Sequence, residues 1–234
     1  MRSCSIPVGW LRRDPRHYRF PLPNEIWKYK LKPIEFVIFS YLCYDHAHGQ
    51  GRRLTPEIVA EGISLSPATA KKHLAPLISK GLITDEWTLT PSIQNKTGEK
   101  FFTLPNEVFL LKLPPSAFMV YAYLLLIEDR RTHTCHPSYN TIAATTGMSK
   151  NTTIKNISTL LEMGLIAVES SSYFDKHGMK WKGNNLYTIL PVSVAVEEFH
   201  RRQIRQLDAE VERRKAQAQL SRLCAVQKPH FTAG

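Results

Sequence analysis

The chain contains two related copies of one segment. Residues 20–27 read FPLPNEIW and residues 102–109 read FTLPNEVF. The correspondence continues to a shared Gly-Leu-Ile, which begins at Gly81 in the first copy and at Gly164 in the second. An internal duplication predicts one structural plan used twice. The predicted parts are a basic arm at 1–19, domains at 20–100 and 101–191, and a C-terminal helix and tail at 192–234.

The second copy has the capping and turn residues of a helix-turn-helix. Ser138 is placed to cap a short helix that runs through Ala144, and Gly147 supplies a left-handed turn residue. Ser149 then caps a second helix, which we expect to end before Gly164. Two short helices joined through a glycine-containing turn predict a helix-turn-helix.

The second of these helices has an apolar face and a polar end. Helical spacing places Thr153, Ile157 and Leu160 toward the core, with Ile154 and Leu161 at its flanks. The N-terminal end of such a helix touches base edges and phosphates. The candidate DNA-binding residues here are Ser149, Lys150, Asn151, Thr152, Lys155 and Asn156.

The first copy repeats this plan with one difference. Thr55 and Pro56 begin a helix that Gly62 ends, and Ser66 begins the next. The residues expected to face inward are Ala70, Leu74 and Leu77. The candidate DNA-binding residues are Ser66, Thr69, Lys71, Lys72 and His73. Pro76 lies inside this second helix and removes a main-chain hydrogen bond, so we expect the helix to be kinked or short.

A stretch that reads as a β-hairpin follows each Gly-Leu-Ile. In the second copy, residues 167–170 and 185–190 are β-prone segments around a basic, glycine-containing connection. Trp181 is expected to anchor this hairpin or stack on a sugar. The residues expected to grip the DNA backbone are Lys176, His177, Lys180 and Lys182.

A helix, a helix-turn-helix and a two-stranded wing together describe a winged helix. Over residues 20–191 the chain resembles the tandem winged-helix DNA-binding proteins of bacterial mobile elements, including replication-initiator-like and replisome-organiser-like proteins. The resemblance implies a mainly α fold with small β-hairpins (α+β), a double-stranded DNA partner and sequence-specific binding at a mobile-element origin. The alternatives are a transcriptional regulator that binds promoter DNA, and an adaptor that uses one winged helix for protein contact.

The two copies are not equivalent. Pro76 and a wing with fewer cations distinguish the first copy. We therefore expect the second copy to dominate recognition of the DNA sequence. The first copy would then supply phosphate contacts or a protein interface. Alternatively, Pro76 only ends the DNA-contacting turn and both copies bind alike.

The net charge of +11 suits a polyanionic partner. The excess lies at the ends of the chain, and Arg12, Arg13, Arg16 and Arg19 form an N-terminal arm. This arm either lies along phosphates or is a solvated basic tail. No run of eighteen apolar residues and no secretory signal occurs, so we expect a cytoplasmic protein without a membrane partner.

The segment from Pro191 to Gln227 has no internal glycine or proline and carries an irregular apolar stripe. It predicts a long helix. Such a helix either forms a homodimer, docks a replication or transcription protein, or packs against its own second domain.

Neither a metal, a cofactor nor an enzyme activity is expected. The cluster His133, Thr134, Cys135, His136 lacks the spacing of a structural zinc site. Phosphate-binding glycine loops and a recognisable catalytic arrangement are also missing from the sequence. Cys135 and His136 are expected to begin the loop before Pro137.

Overall fold

The computed structural model describes residues 18–48, 54–94, 100–174 and 179–226. These residues are mainly helical, with small antiparallel sheets and a long C-terminal helix, which confirms the predicted fold class. The chain divides into one compact unit that ends at Ala195 and another that begins at Val196. Both sequence copies therefore lie within the first unit.

The same order of elements occurs in each copy. The first copy contains β1 (Arg19–Pro23), a 3-10 helix (Asn24–Tyr29), α1 (Pro33–Ala47), α2 (Pro56–Gly62) and α3 (Pro67–Ser79). The second contains β2 (Phe101–Pro105), a 3-10 helix (Asn106–Leu111), α4 (Pro115–Ile127), β3 (Thr134–Cys135), α5 (Tyr139–Thr146), α6 (Lys150–Glu162), β4 (Ile166–Phe174) and β5 (Lys180–Ile189). Helix α7 (Val192–Val226) follows.

An antiparallel pairing of β1 with β2 joins the two copies. Pro21 lies opposite Thr103, and these residues occupy the same position in the two copies. The flanking pairs are Phe20 with Leu104 and Leu22 with Phe102. Because equivalent residues exchange places across the pairing, the copies are related by a pseudo-two-fold axis, as in an isologous dimer.

Aromatic contacts between α1 and α4 follow the same symmetry. Phe36 and Phe118, which are equivalent residues, face each other with ring centroids 6.2 Å apart. Trp27 meets Tyr123 edge to face at 5.5 Å. The reciprocal contact joins Phe109 to Tyr41, also edge to face at 5.5 Å. Each copy thus completes its core with aromatic rings from the other.

Arg19 belongs to this junction and not to a free arm. Its Nε donates to Thr103 Oγ1 at 2.8 Å, and its Nη2 donates to the Thr103 carbonyl at 2.7 Å. The prediction that Arg19 belongs to the arm is therefore wrong, because its Nε and Nη2 are bound across the pseudo-axis. Arg12, Arg13 and Arg16 lie outside the described residues.

Helix α3 continues through Pro76. It has 13 residues, the same number as α6, so the expectation of a shortened helix is wrong. A proline withdraws only its own N–H from the helix ladder. The last turn is closed beyond it, because the Lys80 N–H and the Ser79 hydroxyl both donate to the Pro76 carbonyl.

The hairpins of the two copies differ in size. In the first copy, the described part of the hairpin is one bridge between Ile83 and Leu89. In the second copy, β5 lies between β3 and β4 in a three-stranded antiparallel sheet. Cys135 is buried in β3 and pairs with Tyr187, so the expectation that it begins a loop is wrong.

The reciprocal aromatic core predicts that the two copies unfold together. Phe36→Ala should lower the free energy of unfolding by about 3–5 kcal/mol, because it leaves a cavity beside Trp27 and Phe118. Phe101→Ala is the control, since Phe101 is 42% exposed, and should change this free energy by only about 0.5 kcal/mol. Chemical denaturation followed by circular dichroism measures both. Equal effects of the two substitutions, or separate transitions for the two copies, would contradict the shared core.

Candidate nucleic-acid interface

Helices α5 and α6 meet at a left-handed turn. Gly147 has a φ of 68° and its N–H donates to the Ala143 carbonyl, as the sequence predicted. The matching residue of the first copy is Ser64, with a φ of 56°. Gly62 does end α2, but it serves a different purpose, because a Cβ there would lie 2.3 Å from the ring of Tyr41.

Side-chain caps fix where α3 and α6 begin. These two helices, the second of each helix-turn-helix, are called the recognition helices. Ser149 Oγ accepts from the Thr152 N–H at 3.1 Å in α6. Ser66 Oγ accepts from the Thr69 N–H at 3.2 Å in α3. The Ser149 cap and the start of α3 at Ser66 were predicted, and each cap satisfies a donor that the first helical turn leaves without a partner.

The buried faces of these helices also agree with the sequence prediction. In α6 the buried residues include Thr153, Ile157 and Leu160, and in α3 they are Ala70, Leu74 and Leu77. Ile154 and Leu161, expected at the flanks, are 37% and 49% exposed. The apolar face therefore holds each helix against its copy and leaves the opposite face in solvent.

Most of the candidate DNA-binding residues lie on that solvent face. The exposed ones are Ser149, Lys150, Asn151, Thr152 and Lys155 in α6 with its cap, and Ser66, Lys71 and Lys72 in α3 with its cap; Thr69 is half-buried. Amide, hydroxyl and ammonium groups on one turn can bond base edges and phosphates. The positive end of the helix dipole adds to the attraction for phosphate.

Asn156 does not lie on the exposed face. Its residue is 5% exposed, and its Oδ1 accepts from the Ser116 hydroxyl at 3.0 Å. Its Nδ2 donates to Met148 Sδ at 3.6 Å. The expectation that Asn156 lies at the exposed end of the helix is wrong, because it follows the buried Thr153 by three residues and so shares its face.

His73, the equivalent residue of the first copy, is also turned inward. Its side chain is only 17% exposed, and Nδ1 lies 3.9 Å from Glu35 Oε1. Glu35 is itself buried, 3.4 Å from Lys80 Nζ, and accepts from the Lys32 N–H at the start of α1. One polar position thus ties each recognition helix to the first helix of its copy. DNA contact by His73 stays a prediction.

A cleft of about 250 Å³ lies between the start of α6 and strand β5. Its lining includes Tyr139, Lys150, Gly183 and Asn185. Asn185 Nδ2 donates to Tyr139 Oη at 2.8 Å and to Tyr187 Oη at 3.3 Å. Burial raises the pKa of Tyr187 to about 12, so its hydroxyl stays protonated. Sequence reasoning missed Asn185, although an asparagine within a β-prone segment was a signal.

The wing is formed by β4 and β5. The two strands pair antiparallel from Ile166 with Ile189 outward, with a register shift between Ser170 and Ser172. Lys180 and Lys182 lie on β5, opposite Phe174 and Ser172. Lys176 and His177 lie outside the described residues. Backbone contact by these four residues stays a prediction.

The described residues contain no group of three or more His, Cys, Asp or Glu placed to hold a metal ion. Within the same residues, no helix is long and apolar enough to cross a membrane.

Residues 111–166 match a family described as a helix-turn-helix domain. The match ends at Ile166, the first residue of β4, and so contains α4, α5 and α6. Among solved structures, the chain is similar to one described as a possible transcriptional regulator from Methanosarcina mazei Go1, with 14% identity and a TM-score of 0.32. That similarity covers 47% of this chain and 89% of the other. No curated protein matches the chain. The chain therefore contains a helix-turn-helix domain, a class of domain that binds DNA.

The buried position of Asn156 gives a prediction about stability. Asn156→Ala should lower the free energy of unfolding by about 1–3 kcal/mol, because it leaves the Ser116 hydroxyl without its acceptor. Base preference should not change, since the side chain does not face solvent. Thermal unfolding and selection from random DNA measure the two effects. A stable variant with altered base preference would show that Asn156 turns outward and reads DNA.

Proposed function

We propose that the chain binds double-stranded DNA sequence-specifically through the first turn of α6, inserted into a major groove. The observation that carries this proposal is the exposure of Lys150, Asn151, Thr152 and Lys155 on a helix start whose other face is buried. A rigid support for exposed polar groups is what base reading requires. The helix-turn-helix match covers this region.

The exposed side chains differ in what they can recognise. An asparagine amide can bond the N6 and N7 of adenine together, so Asn151 is the best candidate for base reading. A lysine ammonium has no preferred plane, and Lys155 suits phosphate. Ser149 Oγ already accepts from the Thr152 N–H, and its pairing with the Thr152 hydroxyl at 2.8 Å fixes both side chains.

The wing lies across the cleft from this turn. Lys150 on α6 and Gly183 on β5 line the same space, so a duplex that contacts one element passes close to the other. Lys180 and Lys182 belong to the same strand. We propose that they, with Lys176 and His177, contact the DNA backbone and add affinity without sequence information.

Separate substitutions test the two roles in α6. Asn151→Ala should relax preference at one base pair by about 1–3 kcal/mol, because a bidentate contact is lost. Lys155→Ala should weaken binding to all sequences and lower the salt slope by about one, because one phosphate contact is lost. Lys28→Ala is the matched charge control, since Lys28 is exposed and outside the helix-turn-helix. Affinity and preference that match the control in both variants would contradict the proposal.

We further propose that the bound site lies in a replication origin of a mobile element, as the sequence resemblance implies. A selected site that maps to an origin and whose binding opens the adjacent duplex would support this role. A site that maps to a promoter, with repression of transcription on binding, would favour the regulator instead.

Helix α7 offers an apolar stripe for a partner. Ile204, Leu207 and Val211 are 58%, 61% and 48% exposed, and their spacing places them along one side of the helix. We propose that this stripe contacts a second copy, or a replication or transcription protein, when the chain is on DNA.

Replacing Ile204, Leu207 and Val211 by glutamine should preserve binding to one site and abolish cooperative binding to two adjacent sites. Binding to one site should be preserved because these exposed side chains belong to no described core. Cooperativity should be lost because the apolar contact with the second copy is removed. Gln206→Ala on the same helix is the control. Titration and sedimentation on one-site and two-site DNA measure the effect. Cooperativity that survives the triple substitution would exclude a second copy as the occupant of the stripe.

A further inference from the structure

The symmetry of the β1–β2 junction extends to the recognition helices. Helix α3 packs on α1, and α6 packs on α4. The equivalent residues His73 and Asn156 both turn toward the start of the first helix of their copy. They meet neighbouring positions there, since His73 approaches Glu35 and Asn156 bonds Ser116, which is equivalent to Ile34. Because α1 and α4 are related by the pseudo-two-fold axis, helices attached to them in the same way are related by it too.

We infer that one chain recognises an imperfect inverted repeat, with α6 on one half-site and α3 on the other. This inference rests on the proposed DNA binding. A DNA duplex has two-fold axes perpendicular to its length, and protein modules related by a two-fold axis make equivalent contacts only to half-sites of opposite orientation. A symmetric repressor reaches this arrangement with two chains, whereas here the duplication places both modules in one chain.

The two recognition helices carry equivalent residues for positioning contacts with DNA. The cap residues Ser66 and Ser149 are equivalent, and so are Lys72 and Lys155. All four are exposed. Groups of this kind bond phosphates and set the register of a helix in the groove. Each half-site should therefore be held at the same place on its recognition helix.

The base-reading contacts are not shared. Ala68 stands in α3 where Asn151 stands in α6, and both residues are exposed. Alanine can meet only a thymine methyl, whereas the asparagine amide can bond adenine. Pro67 likewise replaces Lys150. The half-site that α6 contacts should thus show the stronger base preference, and the repeat should be imperfect.

Selection from random DNA with the full chain, followed by rearrangement of the selected site, tests this inference. The expected site has two unequal half-sites in inverted orientation and binds one chain per duplex. Turning the weaker half-site to direct orientation should reduce affinity at least about tenfold, at every spacing tried within one helical turn of about 10 base pairs. Equal affinity for direct and inverted arrangements, or two chains on each duplex, would overturn the inference. The proposed function would survive that result and would fail only if no duplex were bound specifically.

An exchange of residues gives a second readout. In the double variant Ala68→Asn with Asn151→Ala, the adenine preference should move to the other half-site and appear on the opposite strand. Thermal unfolding and affinity for non-specific DNA check that the variant folds and retains its phosphate contacts. A preference that stays at the original half-site, or moves without changing strand, would overturn the inference.

Discussion

The pairing of β1 with β2 is the constraint on which the rest of the first unit depends. It places Pro21 opposite its own equivalent, Thr103, and brings α1 against α4 with Phe36 facing Phe118. Neither copy closes its aromatic core alone, because Tyr123 covers Trp27 and Tyr41 covers Phe109. The duplication therefore produces a dimer-like arrangement within one chain, and the orientation of both recognition helices follows from it.

Local features of the recognition helices could be predicted from the sequence because their causes are local. Ser149 caps α6 because a hydroxyl at that position reaches the Thr152 N–H, and Gly147 adopts a conformation that other residues resist. The three-residue and four-residue spacing of Thr153, Ile157 and Leu160 identified the buried face. Such patterns depend on a few neighbouring residues, so one sequence is sufficient to find them.

The features that sequence reasoning missed depend on contacts between distant residues. Arg19 was assigned to a free arm because its partner, Thr103, lies 84 residues away. Asn156 and His73 were assigned to DNA because they are polar, yet their spacing from buried neighbours already placed them inward. Their partners, Ser116 and Glu35, came from other helices that the local pattern does not include. The inverted relation of the copies likewise required the strand register.

Photocrosslinking from equivalent positions tests most directly whether one chain presents two dyad-related recognition helices to DNA. A benzophenone amino acid would replace Asn151 in one variant and Ala68 in another, and crosslinks would be mapped on the selected duplex. The account predicts crosslinks to bases in opposite half-sites, on opposite strands, with one chain bound. Crosslinks from both positions to the same strand, or from neither position to any base, would contradict it.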